Sequence, residues 1–264
     1  MHVTFLGTGS AMPLPDRVQT GLLLEPSADD ESGDENGGVG TDTADRRPLL
    51  VDCGAGVLHR LSQTDVGYEG VASVLLTHHH LDHVSDLLAL LKARWLAGED
   101  HLELVGPAGT KSLLDDLLSV HDYLQDRVEL AVREVTEGEP FEVAGYSVEA
   151  HETHHSISCL AYRFDDGFTF SGDSEAFEGL ANFADGSRVL AHDCSFPDEI
   201  DVSNHPTPTQ LGEALAGCDI DRLYLTHLYP HTEGKHREML DSVEANFDGD
   251  VRIARDGLRF EIPE

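Results

Sequence analysis

Leu75-Leu76-Thr77-His78-His79-His80-Leu81-Asp82-His83 is the stretch that decides the fold. Residues 71–76 form a short apolar run that predicts a buried strand. Residues 84–96 are apolar at helical spacing. Four strong metal ligands therefore fall on the turn at the carboxyl end of a strand, where α/β folds place their sites. Neutral imidazole together with carboxylate suits zinc, with manganese and iron as close rivals. A histidine run can also be a tag or a solvated loop. A tag, however, lies at a terminus and lacks the aspartate, and this run is internal and follows a strand. His78 and His80 stand two apart, so on an extended segment they point the same way. Asp82 and His83 are adjacent, so they diverge and can serve a second ion. That division suits a two-metal hydrolytic site. His79 is expected to face away.

Outward from this stretch, the chain of 264 residues is long enough for one large domain or two small ones. No run of about 18 apolar residues occurs, so no membrane span is expected. The opening Met1-His2-Val3-Thr4-Phe5-Leu6 has no basic region and enters a strand at once, unlike a signal peptide. Cys53, Cys159, Cys194 and Cys218 are widely spaced with no CxxC pair, which reads as reduced thiols of a cytoplasmic protein. Against 17 basic residues stand 50 acidic ones, a net charge of −33. Such a load repels nucleic acid and anionic membranes. Apolar content is ordinary at 40%, so this is not a disordered acidic chain. A halophilic cytoplasm accounts for the charge: at molar salt the Debye length falls to about 3 Å and self-repulsion is screened.

The pattern predicts strands at 2–6, 18–24, 49–51, 102–105, 128–132, 141–143, 146–150, 168–170 and 223–226. It predicts helices at 57–61, 84–96, 107–124, 210–215 and 235–247, and two edge strands within 251–262. Residues 26–47 hold Asp, Glu, Gly, Ser and Thr with almost nothing apolar, and read as a solvated insertion that cannot bury enough surface to order itself. Gly7-Thr8-Gly9-Ser10 follows the first strand, but no GKT or GKS ending follows it, so a tight turn is favoured over a phosphate cradle. Asp52 ends a strand and is expected either to orient a metal-bound histidine or to cap the next helix. Strand-then-helix rhythm broken by hairpins suggests two sheets with helices outside, in one domain spanning 1–264.

His78-x-His80-x-Asp82-His83 resembles the metal motif of the metallo-β-lactamase-fold hydrolases. Phe5-Leu6-Gly7-Thr8-Gly9-Ser10, then Pro13 and Arg17, resembles the opening of its ribonuclease Z branch. The resemblance implies an αββα four-layer sandwich. It also implies a seven-residue metal set of His78, His80, Asp82, His83, His155, Asp173 and His227. His155 is preferred to His154 because the segment from His155 to Arg163 resembles the family's third motif, with Ala161 where a glycine is usual. Ser171-Gly172-Asp173-Ser174 resembles the family's Ser-Gly-Asp-Thr, whose aspartate bridges two metals; a simple turn with local hydrogen bonds is the plainer reading of the same residues. Thr226-His227 repeats the strand-end arrangement of Thr77-His78, which favours His227 over His231. His192-Asp193-Cys194-Ser195-Phe196 resembles the branch's His-Glu-Ala-Thr-Phe, and Asn204-His205-Pro206-Thr207 its His-Ser-Thr segment. Asp193 would hold His205 in one tautomer and keep it charged beside a leaving group. The redox branch has a glutamate where His80 stands, and so is disfavoured.

The expected activity is dinuclear phosphodiester hydrolysis, ribonuclease Z-like, with two Zn2+ per chain or Mn2+ or Fe2+ in their place. Asp82, His205 and Asp193 are its catalytic candidates. RNA 3′-processing is one form of it. Yet Arg163 and Ser171 are eight residues apart, too close for the tRNA-gripping arm of bacterial ribonuclease Z, and Leu228-Tyr229-Pro230-His231 replaces the usual Ser-x-Arg-Tyr. A hydrolase of small cyclic or linear phosphodiesters is therefore the main rival. A zinc protein that binds RNA or a partner without turnover is a further one. A membrane partner is not expected, and a homodimer is left open.

Overall fold

The computed structural model describes residues 1–12, 14–27, 46–164, 167–200 and 202–262. The first half of the chain gives β1 (His2–Gly7), β2 (Gly21–Glu25), β3 (Leu49–Val51), α1 (Val57–Leu61), β4 (Ser73–Leu75), α2 (Leu81–Val84), α3 (Leu87–Ala97), β5 (His101–Gly106), α4 (Thr110–Val120) and β6 (Glu129–Glu134). The second half gives β7 (Phe141–Val143), β8 (Tyr146–Glu152), β9 (Leu160–Phe164), β10 (Phe168–Phe170), α5 (Glu178–Ala184), β11 (Val189–Asp193), α6 (Pro208–Ala214), β12 (Arg222–Thr226), α7 (His236–Glu244), β13 (Asp250–Ile253) and β14 (Arg259–Glu261). One sheet runs β14-β1-β2-β3-β4-β5-β6 and the other β13-β12-β11-β10-β9-β8-β7. The two strands expected near the end of the chain are both edges, one on each sheet.

The period of two along the strands builds the layers, because successive side chains point to opposite faces. Val3, Phe5, Leu22, Leu24, Leu49, Val51 and Leu75 face the second sheet, meeting Tyr162, Phe168, Phe170 and Tyr224 in a shared core. The alternate residues Leu6, Leu23, Leu50 and Val74 face outward onto Val57, Leu87, Leu91 and Leu114 of the helices. On the other side Leu190, Leu223 and Leu225 pack beneath Leu211, Met239 and Val243. Both faces of each sheet are thus covered, giving the expected αββα sandwich.

Helix boundaries moved from expectation for local reasons. The helix expected at 84–96 is two, α2 and α3, parted at Ser85-Asp86. Asp86 turns its carboxylate to the amides of Gly56 and Leu58 and caps α1 instead. The helix expected from 107 to 124 begins at Thr110 and stops at Val120, with a 3-10 turn over Asp122–Leu124. Gly98, at φ 97°, ends α3 in the left-handed conformation that glycine tolerates. Thr207 and Gln210 make a reciprocal capping box with Pro208 at the first turn of α6. Inside α3, Arg94 is 1% exposed. It donates to the carbonyls of Tyr68 and Glu69 at 2.9 and 2.7 Å and to that of His101 at 3.0 Å, tying the approach to β4 against β5.

The acidic insertion expected at 26–47 lies, for residues 28–45, outside the described residues. Its far flank is anchored: the Arg47 amide donates to the Ala144 carbonyl at 2.9 Å, and Arg46 lies over the Tyr146 ring. No helix among the described residues is long and apolar enough to cross a membrane. All four cysteines are free thiols.

Candidate metal centre

Both sheets deliver residues to one place. Strands β3 and β4 pair in parallel, as do β10, β11 and β12. Their carboxyl ends lead into Asp52, His78 and Asp173, into Asp193 at the end of β11, and into His227. The turn from His80 through α2 adds Asp82 and His83, and the β8–β9 connection adds His155. Asp52 and His227 have φ of 59° and 58°, a left-handed conformation uncommon for residues with a side chain. Such backbone persists only where its surroundings hold it, and it collects at functional sites.

The donors form two groups around Asp173. Nε2 of His78 and Nε2 of His155 each lie 3.1 Å from Nδ1 of His80. Asp173 Oδ2 lies 3.6 Å from the first and 3.8 Å from the second. In the other group, Asp82 Oδ2 lies 3.1 Å from His227 Nε2 and 3.8 Å from His83 Nε2. Asp173 reaches this group too, with Oδ1 3.3 Å from His83 Nε2 and Oδ2 3.4 Å from His227 Nε2. All seven residues singled out from the sequence therefore converge. His83 Nε2 and Asp173 Oδ1 are buried and have no hydrogen-bond partner. Imidazole lone pairs aimed at one another beside a buried carboxylate have no good partners in protein alone; a divalent cation satisfies them all. The residues present fit a metal centre.

The second nitrogen of four of the five rings has a partner, which fixes the tautomer and aims the first. His83 Nδ1 lies 2.7 Å from Asp52 Oδ2, whose other oxygen accepts from the Thr77 amide at 2.8 Å. Asp52 thus orients a ligand, and its alternative role as a helix cap falls away, since Gly56 holds the N-cap of α1. His78 Nδ1 lies 3.0 Å from Thr77 Oγ1 and His227 Nδ1 2.9 Å from Ser195 Oγ. His155 Nδ1 donates to the Asn204 carbonyl at 3.3 Å. His79 points elsewhere, to Thr110 Oγ1 at 2.8 Å. His154 is exposed and stacks on Phe177, and His231 is exposed against Phe196.

Asp193 and His205 form a separate pair, Oδ2 to Nδ1 at 2.6 Å. Asp193 is completely buried and held by the Ser195 hydroxyl at 2.6 Å and the Ser174 amide at 3.3 Å. The His205 ring stacks nearly parallel to that of His227 at 5.5 Å, and a ring nitrogen of His205 lies within 4.8 Å of donor atoms of Asp173 and His227. It also falls in a third potential ligand grouping with Asp173 and His227. Burial works against the His205 cation, but the Asp193 carboxylate more than offsets it and lifts the ring's pKa to about 9. Burial likewise opposes ionisation of Asp173, yet the surrounding His227, His83 and His78 hold its carboxyl well below the usual range. His83 is raised despite burial, by Asp173 and Asp52. Burial instead lowers His78 and His155.

Three contributors carry no signal in the sequence. Thr77 and Ser195 are hubs that each reach one distant partner, Asp52 at 25 residues and His227 at 32. Tyr229 stands edge-on to His205 and His227 at 6.0 and 5.8 Å and stacks on Phe196 at 4.5 Å. Burial, then Asp82, Asp173 and Asp193, push its hydroxyl up to about 12.

Two helix-covered sheets with histidines and aspartates gathered at the strand ends define a metallo-β-lactamase-fold chain. Residues 47–228 match the family model described as "Beta-lactamase superfamily domain", and the chain belongs to that superfamily. It is 29% identical to a protein of Methanopyrus kandleri named Ribonuclease Z, over 98% of this chain and 96% of that one. To the Ribonuclease Z of Haloferax volcanii it is 24% identical, over 100% of this chain and 95% of that one. Among solved structures it is similar to the metallo-β-lactamase-fold protein YhfI of Bacillus subtilis, with TM-score 0.78 and 23% identity over 98% of each chain. Human tRNase Z, short form, gives TM-score 0.74 at 20% identity over the full length of both chains, and these likenesses establish the fold.

Proposed function

We propose that this chain is a two-metal phosphodiester hydrolase of the ribonuclease Z kind. The observation that carries the reading is the Asp193–His205 pair, 2.6 Å apart, with Asp193 buried and His205 half-buried, standing beside the seven donors and outside the two groups that hold His80 and Asp82. Relatives named Ribonuclease Z that match along their whole length support it. Zinc suits the imidazole-rich donor set best, and manganese or iron also fit. Two such ions would supply Lewis-acid charge to a phosphoryl oxygen and a lowered pKa to water.

The chain's own residues do the rest. Asp173, between the two groups, and Asp82 set the negative charge of the centre and its spacing. Asp52, Thr77 and Ser195 hold three of the rings in place. His205 Nδ1 is committed to Asp193, so its Nε2–H is the proton it offers to the departing oxygen. Asp193 keeps that proton on the ring at neutral pH. Poor leaving groups such as a ribose hydroxyl need it.

A small phosphodiester as substrate, rather than precursor tRNA, is favoured by the β9–β10 connection. These strands pair from Phe164↔Phe168 through Tyr162↔Phe170, which leaves too few residues between them for a tRNA-gripping arm. A cytoplasm at molar salt remains our account of the −33 charge. The test is hydrolysis of bis(p-nitrophenyl) phosphate by protein loaded with zinc or manganese, with bound metal counted by elemental analysis. Turnover with two ions per chain is expected. Full loading without turnover would sink the hydrolase reading and leave a non-catalytic metal-binding protein.

A further inference from the structure

The rim of the centre is apolar and nearly free of cations. Met12, Leu81 and Ile157 are 45%, 77% and 39% exposed, and they are three of the six exposed large hydrophobic residues among those described. Leu81 lies between His80 and Asp82, and Ile157 two residues after His155. Met12 belongs to the β1–β2 loop, which docks on the residue before Tyr229: the Leu228 amide donates to the Thr8 carbonyl at 3.0 Å, and Gly9 bridges Leu228. Beside them stands Tyr229, half-buried and edge-on to His205, stacked on the buried Phe196. No protein hydrogen bond is made by the Tyr229 hydroxyl among the described residues.

The loops that frame the centre are residues 8–20, 76–86, 153–159, 171–177, 194–207 and 227–235. Their described residues hold two cations, Arg17 and Lys235. Both are committed. Arg17 is 6% exposed and donates to Thr8 Oγ1 and the Ala254 carbonyl at 2.5 and 2.6 Å. Lys235 is ion-paired with Glu199. The same loops carry Asp16, Glu175, Asp198 and Glu233. Proteins hold nucleic acid chiefly through Lys and Arg on successive phosphates. This rim offers none, and it repels a chain of them.

Resting on the phosphodiesterase reading, we infer that the substrate carries a single phosphodiester with an aromatic group, and that Tyr229, backed by the buried Phe196, stacks on that ring beside His205. Tyr229 is a specificity-determining residue in this scheme. Stacking and apolar contact do not depend on charge, so they keep their strength at the salt concentrations that a −33 chain tolerates.

Binding of product-like monoesters tests this without requiring turnover. Phenyl phosphate and methyl phosphate are titrated calorimetrically into zinc-loaded protein in molar potassium chloride. Wild type should bind phenyl phosphate about ten-fold more tightly, the order expected of one stacked ring. Tyr229→Ser should erase that ratio while leaving methyl phosphate affinity and zinc content unchanged, and Tyr229→Phe should keep it. A short single-stranded RNA should not displace phenyl phosphate. Equal affinity for the two monoesters, an unchanged ratio in Tyr229→Ser, or displacement by the RNA at lower concentration than phenyl phosphate would each overturn the inference. Ring selectivity without hydrolysis of bis(p-nitrophenyl) phosphate would refute the phosphodiesterase reading alone; hydrolysis without ring selectivity would refute the stacking alone.

Discussion

Replacing His205 by alanine should separate substrates by their leaving groups. The ring sits 2.6 Å from Asp193, and its pKa of about 9 leaves it protonated at neutral pH. A general acid so placed contributes about 10²–10⁴-fold, or about 3–5 kcal/mol of barrier. A ribose alkoxide needs that proton, whereas nitrophenolate departs without it. His205→Ala should therefore lower kcat/KM for uridine 2′,3′-cyclic phosphate by two to four decades in the sense of that range, and leave bis(p-nitrophenyl) phosphate within a few-fold. Metal content, read by elemental analysis, should not change. The pH profile adds a second readout. A raised pKa means that the donor is loaded below it and lost as pH climbs through it, so the cyclic substrate should show a basic limb. Nearby cations repel an imidazolium, which places the limb somewhat below about 9 in the loaded enzyme. Asp193→Asn removes the charge that lifts the pKa and should move the limb down towards 6.5. Equal slowing of both substrates by His205→Ala, or loss of a metal, would refute the reasoning; His205 would then belong to the grouping with Asp173 and His227.

Asp52→Ala frees His83 Nδ1 and the Thr77 amide from their shared carboxylate, and should weaken metal affinity about 10–100-fold in a chelator competition while the far-ultraviolet spectrum is retained. Arg94→Ala takes the buried guanidinium away from three partly buried carbonyls and should cost about 3 kcal/mol in denaturant unfolding, with bound metal unchanged; a loss below about 1 kcal/mol would mean that water replaces the guanidinium. The −33 charge predicts a melting temperature that rises steeply between 0.1 M and molar salt, as the Debye length shrinks from about 10 to about 3 Å, and equal melting temperatures would remove the high-salt account.

The sequence made the metal turn and the strands legible because both are local patterns. His78, His80, Asp82 and His83 share one turn, and Leu22–Leu24 and Leu49–Val51 are short apolar runs that read as strands. Strand β9 escaped because Leu160–Phe164 is apolar without alternation and reads as part of a motif. Helix α5 escaped because no capping residue announces it: its N-cap is Phe177, with no side-chain cap. The break between α2 and α3 was invisible because Asp86 is recruited by amides 28 and 30 residues earlier. Ser195 is the clearest loss: its hydroxyl serves Asp193, His205 and His227, the last from 32 residues away. No spacing rule announces such a hub, since its meaning exists only once the sheets have met.

Each donor group draws on both sheets: His78 and His80 from one side with His155 and Asp173 from the other, and Asp82 and His83 with His227. An ion seated there would work as a clasp, binding the folded chain and not the unfolded one. At a free concentration about a thousand-fold above its Kd it would add about 4 kcal/mol to stability. How long the protein survives in a cell would then follow how much metal the cell can spare. Scarcity would thin the population through proteolysis as well as silencing each molecule.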